Sequence, residues 1–407
     1  MSVQVRLSVM MFLQYAVWGA WYVTVGNYMT KIGMQSEIYW AFTVSPIASI
    51  VSPFFLGMVA DRFFSTEKIL AYLHIVGGIA IFLSPFAAEG PNASPTLFIL
   101  LLLVNMLCYM PTVGLTNSLA FNHLSNQEKQ FPIIRSFGTF GWIAAGIFVS
   151  KILGADETAI PLQTAGVLGV LLGLFSFALP HTPPPAVGEK ISFRKIVGID
   201  ALNKIKSRSF YIFIVSAFLL CIPLSVYYAY APVFVNASGI ENPGFVMSFG
   251  QMSEALFILI MPLLFPILGF KKMLLTGMFA WVLRYVLFAI GAPDQTIWMI
   301  LMGVILHGVC YDFFFVAGFI YVDKKAVKEI RAQAQGFVVL ATYGLGMLIG
   351  AQAAGYLFNG MVDLTSPDAF IQWQKFWYIP AALAAVVMIF FAVMFKDKQV
   401  DTIKGNN

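Results

Sequence analysis

Charge is what this sequence has least of. Only 11% of its residues are Asp, Glu, Lys or Arg, while 59% are hydrophobic. Apolar runs recur from one end to the other. A soluble domain of this length needs far more polar surface, so the composition excludes one and leaves a polytopic membrane protein. Cysteine is scarce as well. Cys108, Cys221 and Cys310 all lie in apolar runs, and an odd number so placed argues against a disulfide framework. No residues stand at metal-ligand spacing, and no nucleophile and base form a legible constellation. These two gaps argue against a metal site and against an intramembrane enzyme. The first apolar run continues directly as a spanning helix, without the cleavage site of a secretory leader.

What the chain does contain is span after span. Windows of about twenty apolar residues, the length a helix needs to cross a bilayer, mark about twelve of them. They run approximately over 7–29, 38–60, 68–88, 95–122, 132–154, 161–180, 209–236, 244–269, 271–291, 295–322, 332–359 and 371–395. The expected architecture is all-α, with twelve transmembrane helices in two six-helix bundles. Residues 1–182 form the first bundle and 209–396 the second. A linker, 183–208, carries Pro183, Pro184, Pro185 and a basic cluster from Lys190 to Arg208, and 397–407 is a tail. Lys and Arg give the orientation. With both termini cytoplasmic, about nineteen of them fall on that side and about three (Lys31, Lys151, Lys375) on the other, as the positive-inside rule demands. Cys108-Tyr109 and Cys310-Tyr311 stand about half a chain apart, and Arg135 and Arg331 each open a span. These echoes fit two parallel repeats.

Polar residues inside the spans single themselves out. Asp312 stands in an apolar run, just after His307 and Tyr311. An ionised carboxylate at mid-membrane costs at least ~3 kcal/mol on insertion scales, so it needs a partner, a proton or water. Taking up and releasing a proton is its most natural work; a helix–helix hydrogen bond is the alternative. Glu254 follows Gln251 by three residues, on the same helix face. That pair suits a ligand with hydroxyls and a ring amide, or else packs two spans together. Arg135, Thr139 and Trp142 share one stripe at i, i+4 and i+7, where Trp142 offers a flat stacking face. Arg135 either reaches inward or snorkels to the cytoplasmic edge. His307 and Tyr311, one turn apart, read either as ligand or proton contacts or as packing. Arg284 also falls within a span. His74 reads as packing, Gln14, Asn105 and Asn117 as helix–helix glue or cavity lining, and Gly346 with Gly350 as a close-packing seam.

Gly57-Met58-Val59-Ala60-Asp61-Arg62, followed by Glu67-Lys68, resembles the loop motif of the major facilitator superfamily. Gly57, Asp61 and Arg62 are its conformational residues. A narrower resemblance runs along the chain in order. Phe12-Leu13-Gln14 with Trp18-Gly19-Ala20-Trp21, Tyr109 to Asn117, and Arg135-Ser136-Phe137-Gly138-Thr139 carry its first half. Gln251-Met252-Ser253-Glu254, Tyr311-Asp312-Phe313-Phe314 and Arg331 to Gly336 carry the second. Together they are similar to the bacterial nucleoside–proton symporter family, the nucleoside permeases.

The resemblance implies the major facilitator fold and a proton-coupled carrier that imports nucleosides across the cytoplasmic membrane by alternating access. It implies proton coupling at Asp312, shared with Glu254. It implies a substrate site made by Arg135, Thr139 and Trp142 on one bundle and by Ser225, Tyr228, Gln251, Glu254, His307 and Tyr311 on the other. The family carries Gln and Asn where this chain has Ser225 and Tyr228, and Tyr where it has His307. These departures motivate an alternative with the same fold and coupling but another small polar solute, such as a sugar derivative. The expected partners are the solute, the proton and the lipid bilayer, with no nucleic acid and the chain a monomer. No cofactor is expected, the proton gradient being the energy source.

Overall fold

Proline and glycine decide where these apolar runs start, bend and stop. In the computed structural model the described residues are 1–56, 64–184, 205, 207–327 and 330–396. The expected motif residues Gly57, Asp61 and Arg62, and the basic residues Lys190, Arg194, Lys195, Lys204 and Lys206, lie outside them. Every described element is helical. In chain order they are α1 (Val3–Gly19), α2 (Val25–Lys31), α3 (Ile38–Phe55), α4 (Thr66–Ala88), α5 (Pro95–Asn122), α6 (Gln127–Gly146) and α7 (Ile160–Ser176). There follow α8 (Arg208–Ala237), α9 (Pro243–Gly291), α10 (Ile297–Lys325, with a break at Leu306), α11 (Arg331–Val339 and Met347–Met361, joined by Leu340–Gly346) and α12 (Ala369–Met394). Nine helices among the described residues are long and apolar enough to cross a membrane.

Local chemistry explains the ends. Ser94 caps α5 by accepting from the Leu97 N–H, with Pro95 in the first turn, where a missing N–H costs nothing. Asn126 caps α6 through the Lys129 N–H, so that helix starts about five residues before the hydropathy window suggests. The 49 residues of α9 are two arms, because Gly269 takes a φ of 66°. That left-handed turn suits a residue without a Cβ, and it falls at the expected boundary between spans 244–269 and 271–291.

The first span departs from expectation. The apolar run 7–29 is not one helix: α1 stops at Gly19, and a turn through Thr24 leads into the short α2. A Cβ on Gly19 would lie 2.7 Å from the Trp142 carbonyl oxygen. Hydropathy could not register the break, since the residues on either side of it remain apolar.

The chain divides into two compact units, Met1–Ser192 with Asn242–Phe245, and Phe193–Glu241 with Val246–Asn407. In the first, α1 packs on α6 where a Cβ on Gly141 would collide with the Phe12 carbonyl. Removing the side chain is what lets two helices in lipid gain dispersion contact. In the second, α8 packs on α11 along the expected seam, with Cys221 against Gly346 and Ser225 against Gly350. The second arm of α9 packs on α10, with Phe288 over Gly303 and Gly277 against Phe313 and Phe314. An aromatic core of Phe234, Phe288, Trp373 and Trp377 fills this unit.

Candidate functional site

In the first unit, α6 carries Arg135, Thr139 and Trp142 on one stripe, all three half-buried. The Arg135 guanidinium lies 4.1 Å above the centroid of Tyr15 on α1, and its charge also acts on the Tyr109 hydroxyl. It therefore covers an aromatic ring instead of snorkelling, a cation–π contact that gains most where water is scarce. Trp142 meets Trp18 edge-on at 5.4 Å and Tyr22 at 6.4 Å, and Trp18 touches Tyr109 at 5.5 Å. The result is an aromatic wall with one cation on it, able to stack a planar solute and to donate to its acceptors.

Behind the wall lies a buried hydrogen-bond network. Gln14 Nε2 donates to Thr112 Oγ1 at 2.8 Å, and Thr112 donates to the Tyr109 carbonyl. The Tyr109 hydroxyl donates to the Gln14 carbonyl at 2.7 Å. Gln14 Oε1 is 2.8 Å from His74 Nε2. An amide oxygen only accepts, so in this arrangement the His74 proton sits on Nε2. His74, read as plain packing, is thus bonded to a residue read as glue. Asn105 holds α5 to α4 through the Gly77 carbonyl at 2.9 Å.

The second unit gathers the acids. Asp312 is 0% exposed, and neither carboxylate oxygen has a hydrogen-bond partner among the described residues. It opens a π-helical segment, Asp312–Val316, in the middle of α10. Such bulges leave the ordinary backbone ladder and often mark functional sites. Glu254 is the charge that acts on Asp312. Its Oε2 lies 4.0 Å from His307 Nε2, and its side chain is one-third exposed. The approach of the two helices depends on Gly308, where a Cβ would sit 2.5 Å from the Glu254 backbone nitrogen. His307 is buried and stacks on Tyr227 at 5.2 Å, with Tyr228 at 6.0 Å and Tyr311 at 5.7 Å. The Tyr311 hydroxyl is hydrogen-bonded to that of Tyr343. Gln251 is half-buried, its Oε1 without a partner among the described residues.

Of the expected residues of the second unit, Tyr228, Glu254 and Tyr311 thus meet at His307, and one lies apart. Ser225 is buried and donates to the Met347 carbonyl at 3.0 Å, which ties its hydroxyl to the α8–α11 seam. Sequence reading also gave no site role to three participants in the first unit: Tyr15, Tyr22 and Trp18, the last noted only as a motif residue. Their spacing of three and four residues was the available signal. In the second unit it gave Arg284 no role. The guanidinium of Arg284 lies 4.0 Å above the Tyr227 ring; a cation inside an apolar span was signal enough. No group of His, Cys, Asp and Glu suited to a metal occurs among the described residues.

Outside the membrane-spanning segments, Asp156 is the notable acid. Its carboxylate accepts from Ser150 at 2.7 Å and from the Gly244 N–H at 2.9 Å. Burial pushes its carboxyl above the usual range, more than those bonds pull it down.

The family model described as Nucleoside H+ symporter matches residues 1–400. YegT of Escherichia coli (strain K12), which is named for nucleoside transport, is 37% identical, over 99% of this chain and 97% of its own. Nucleoside permease NupG of the same strain is 31% identical, over 98% of this chain and 97% of its own. The crystal structure of nucleoside transporter NupG superposes with a TM-score of 0.85 at 30% identity, covering 98% of this chain and 100% of that one.

Proposed function

Since the chain belongs to the nucleoside H⁺ symporter family, we propose how its own residues perform proton-coupled import of nucleosides. It is a multi-pass membrane transporter and not an enzyme. The observation that carries the proposal is Asp312, fully buried and without a hydrogen-bond partner among the described residues. A carboxylate so placed is stable in one of two ways, protonated or offset by a nearby charge. Alternation between those two conditions is what coupling requires. The charge of Glu254 acts on it and so senses which one holds, and over the cycle the proton is shared between the two.

Solute recognition follows from the two clusters. In the first unit Trp142 and Trp18 stack on the base, while Arg135 and Thr139 meet its acceptors. In the second, Gln251 and Glu254 bind hydroxyl and ring-amide edges, and His307, Tyr311 and Tyr228 line the site. Ser225 acts through the seam. Gly57, Asp61 and Arg62 serve the conformational change of alternating access. The carrier works as a monomer in the bacterial inner membrane with both termini cytoplasmic. Counting α1, α7 and both arms of α9 as crossings makes twelve spans in two bundles, 1–182 and 209–396. The proton gradient drives the cycle, without a cofactor. A sugar derivative is not the favoured solute, because the family model and the relatives at 31–37% identity are named for nucleosides.

The test is uptake of labelled uridine and adenosine in cells lacking their own nucleoside carriers, with and without a protonophore. Saturable uptake that collapses with the gradient is expected. Uptake indifferent to the protonophore would remove proton coupling, and no uptake by protein present in the membrane would remove the nucleoside.

A further inference from the structure

Arg284 has no part in the mechanism so far, yet it is 0% exposed. Its guanidinium lies between the rings of Tyr227, at 4.0 Å, and Trp281, at 5.0 Å. None of its three nitrogens meets hydrogen-bond geometry with an acceptor among the described residues. The Tyr285 hydroxyl beside it donates to the Pro223 carbonyl. A guanidinium cannot shed its charge at any working pH. A buried cation without a paired anion is costly, so its presence demands an offset nearby.

The groups around it show where the offset comes from. From α8, Tyr227 and Tyr228 face it; from α10, Cys310 and His307; from its own arm, Tyr285. None of these is an anion in its ordinary state. His307 leads further. Its ring stacks on the same Tyr227, and its Nε2 lies 4.0 Å from Glu254. Glu254 in turn is the charge acting on Asp312. Arg284, His307, Glu254 and Asp312 therefore form one line of coupled groups, linked by the shared Tyr227 ring, by the His307–Glu254 approach and by the charge of Glu254 acting on Asp312. With a neutral imidazole, the line holds one permanent cation and two carboxylates. One added proton brings its total charge to zero, the condition a low-dielectric interior favours.

We propose that Arg284 is the fixed counter-charge of the proton site, so that the Glu254–Asp312 pair takes up one proton for each nucleoside carried. The inference rests on the proton-coupled reading above. Arg284 acts through the other groups and is a positioning residue.

The experiment uses the full-length protein in proteoliposomes, with labelled uridine as the probe and a pH-sensitive dye reporting proton entry. A ratio of one proton per uridine is expected. Arg284→Gln leaves both carboxylates without the cation, so they hold protons to higher pH. The alkaline limb of uridine uptake then moves upward by about one pH unit or more. Arg284→Lys keeps the charge and returns the limb to its wild-type position. A purely structural role would change the amount of folded protein and leave the limb where it was. A wild-type ratio of two overturns the proposal. So does a folded Arg284→Gln protein with an unmoved limb, or an Arg284→Lys protein whose limb has moved. Should Arg284→Gln fail to reach the membrane, the wild-type ratio and Arg284→Lys still decide. Wild-type uridine uptake without proton entry would instead defeat the coupling reading itself.

Discussion

In the first unit Gln14, His74, Thr112 and Tyr109 are buried and each has a hydrogen-bond partner, while the cation Arg135 lies half-buried on a tyrosine. In the second, Asp312 and Arg284 are fully buried, and neither meets hydrogen-bond geometry with another described residue. A satisfied hydrogen bond contributes about 0.5–1.5 kcal/mol of net stability. A buried charge without a partner costs more than that and survives selection for another reason. The comparison teaches a division of labour. Those four residues of the first unit hold helices and a stacking surface in place. The second keeps charges whose balance a proton can change.

The largest effect expected on that contrast comes from Asp312→Asn. A proton falling through 100 mV supplies ~2.3 kcal/mol, a concentration ratio of about 50. The variant should lose this accumulation and equilibrate its solute, while counterflow exchange in proteoliposomes continues. Wild-type accumulation by Asp312→Asn would place the proton site elsewhere.

Next comes a matched pair of glycine substitutions. Gly141→Ala sets a methyl group on the Phe12 carbonyl in the first unit, and Gly308→Ala sets one on the Ser253–Glu254 backbone in the second. Each should cost about 1–3 kcal/mol by overpacking, read as a lower melting temperature in detergent. Only Gly308→Ala should also depress uptake per folded molecule, because it moves Glu254. Equal losses of specific activity would erase the contrast.

A smaller effect separates the two buried histidines. His74→Leu leaves the Gln14 amide oxygen without its donor, at a cost of about 1–3 kcal/mol. Thermal melts should show that loss, and the pH profile of uptake should keep its shape. A shifted profile would bring His74 into the proton chemistry and make the units more alike.

The smallest effect concerns Asp156, whose carboxyl burial holds above the ordinary Asp range. An acid with a raised folded value binds more protons folded than unfolded, so its contribution to stability grows as pH falls into that window and shrinks as pH rises through it. Melts of wild type against Asp156→Asn from the ordinary Asp range upward should show wild type losing ground as pH rises. A difference constant with pH would mean that its hydrogen bonds from Ser150 and Gly244 offset its burial.

Much of this could be read before any coordinates. Hydropathy located α5 at Pro95–Asn122 to the residue, because lipid solvation acts on every side chain independently and needs no partner. The same window ran through the break after Gly19, because the residues on both sides of it are apolar. Asp312 announced itself, since a carboxylate in an apolar run is anomalous whatever surrounds it. Ser225 could not be judged in the same way. Whether a hydroxyl serves a ligand or a seam depends on what lies across from it, and here that is the Met347 carbonyl.

Composition and residue order were thus enough to dictate the membrane class, the run of spans and the suspect acid, all of which follow from transfer energies and local spacing, while the family came from the likeness of its motifs. The pairing of Arg135 with Tyr15, the network behind the aromatic wall and the line from Arg284 to Asp312 exist only once helices distant in the chain lie side by side. Burial and electrostatic balance are properties of that packing, and no stretch of sequence carries them alone.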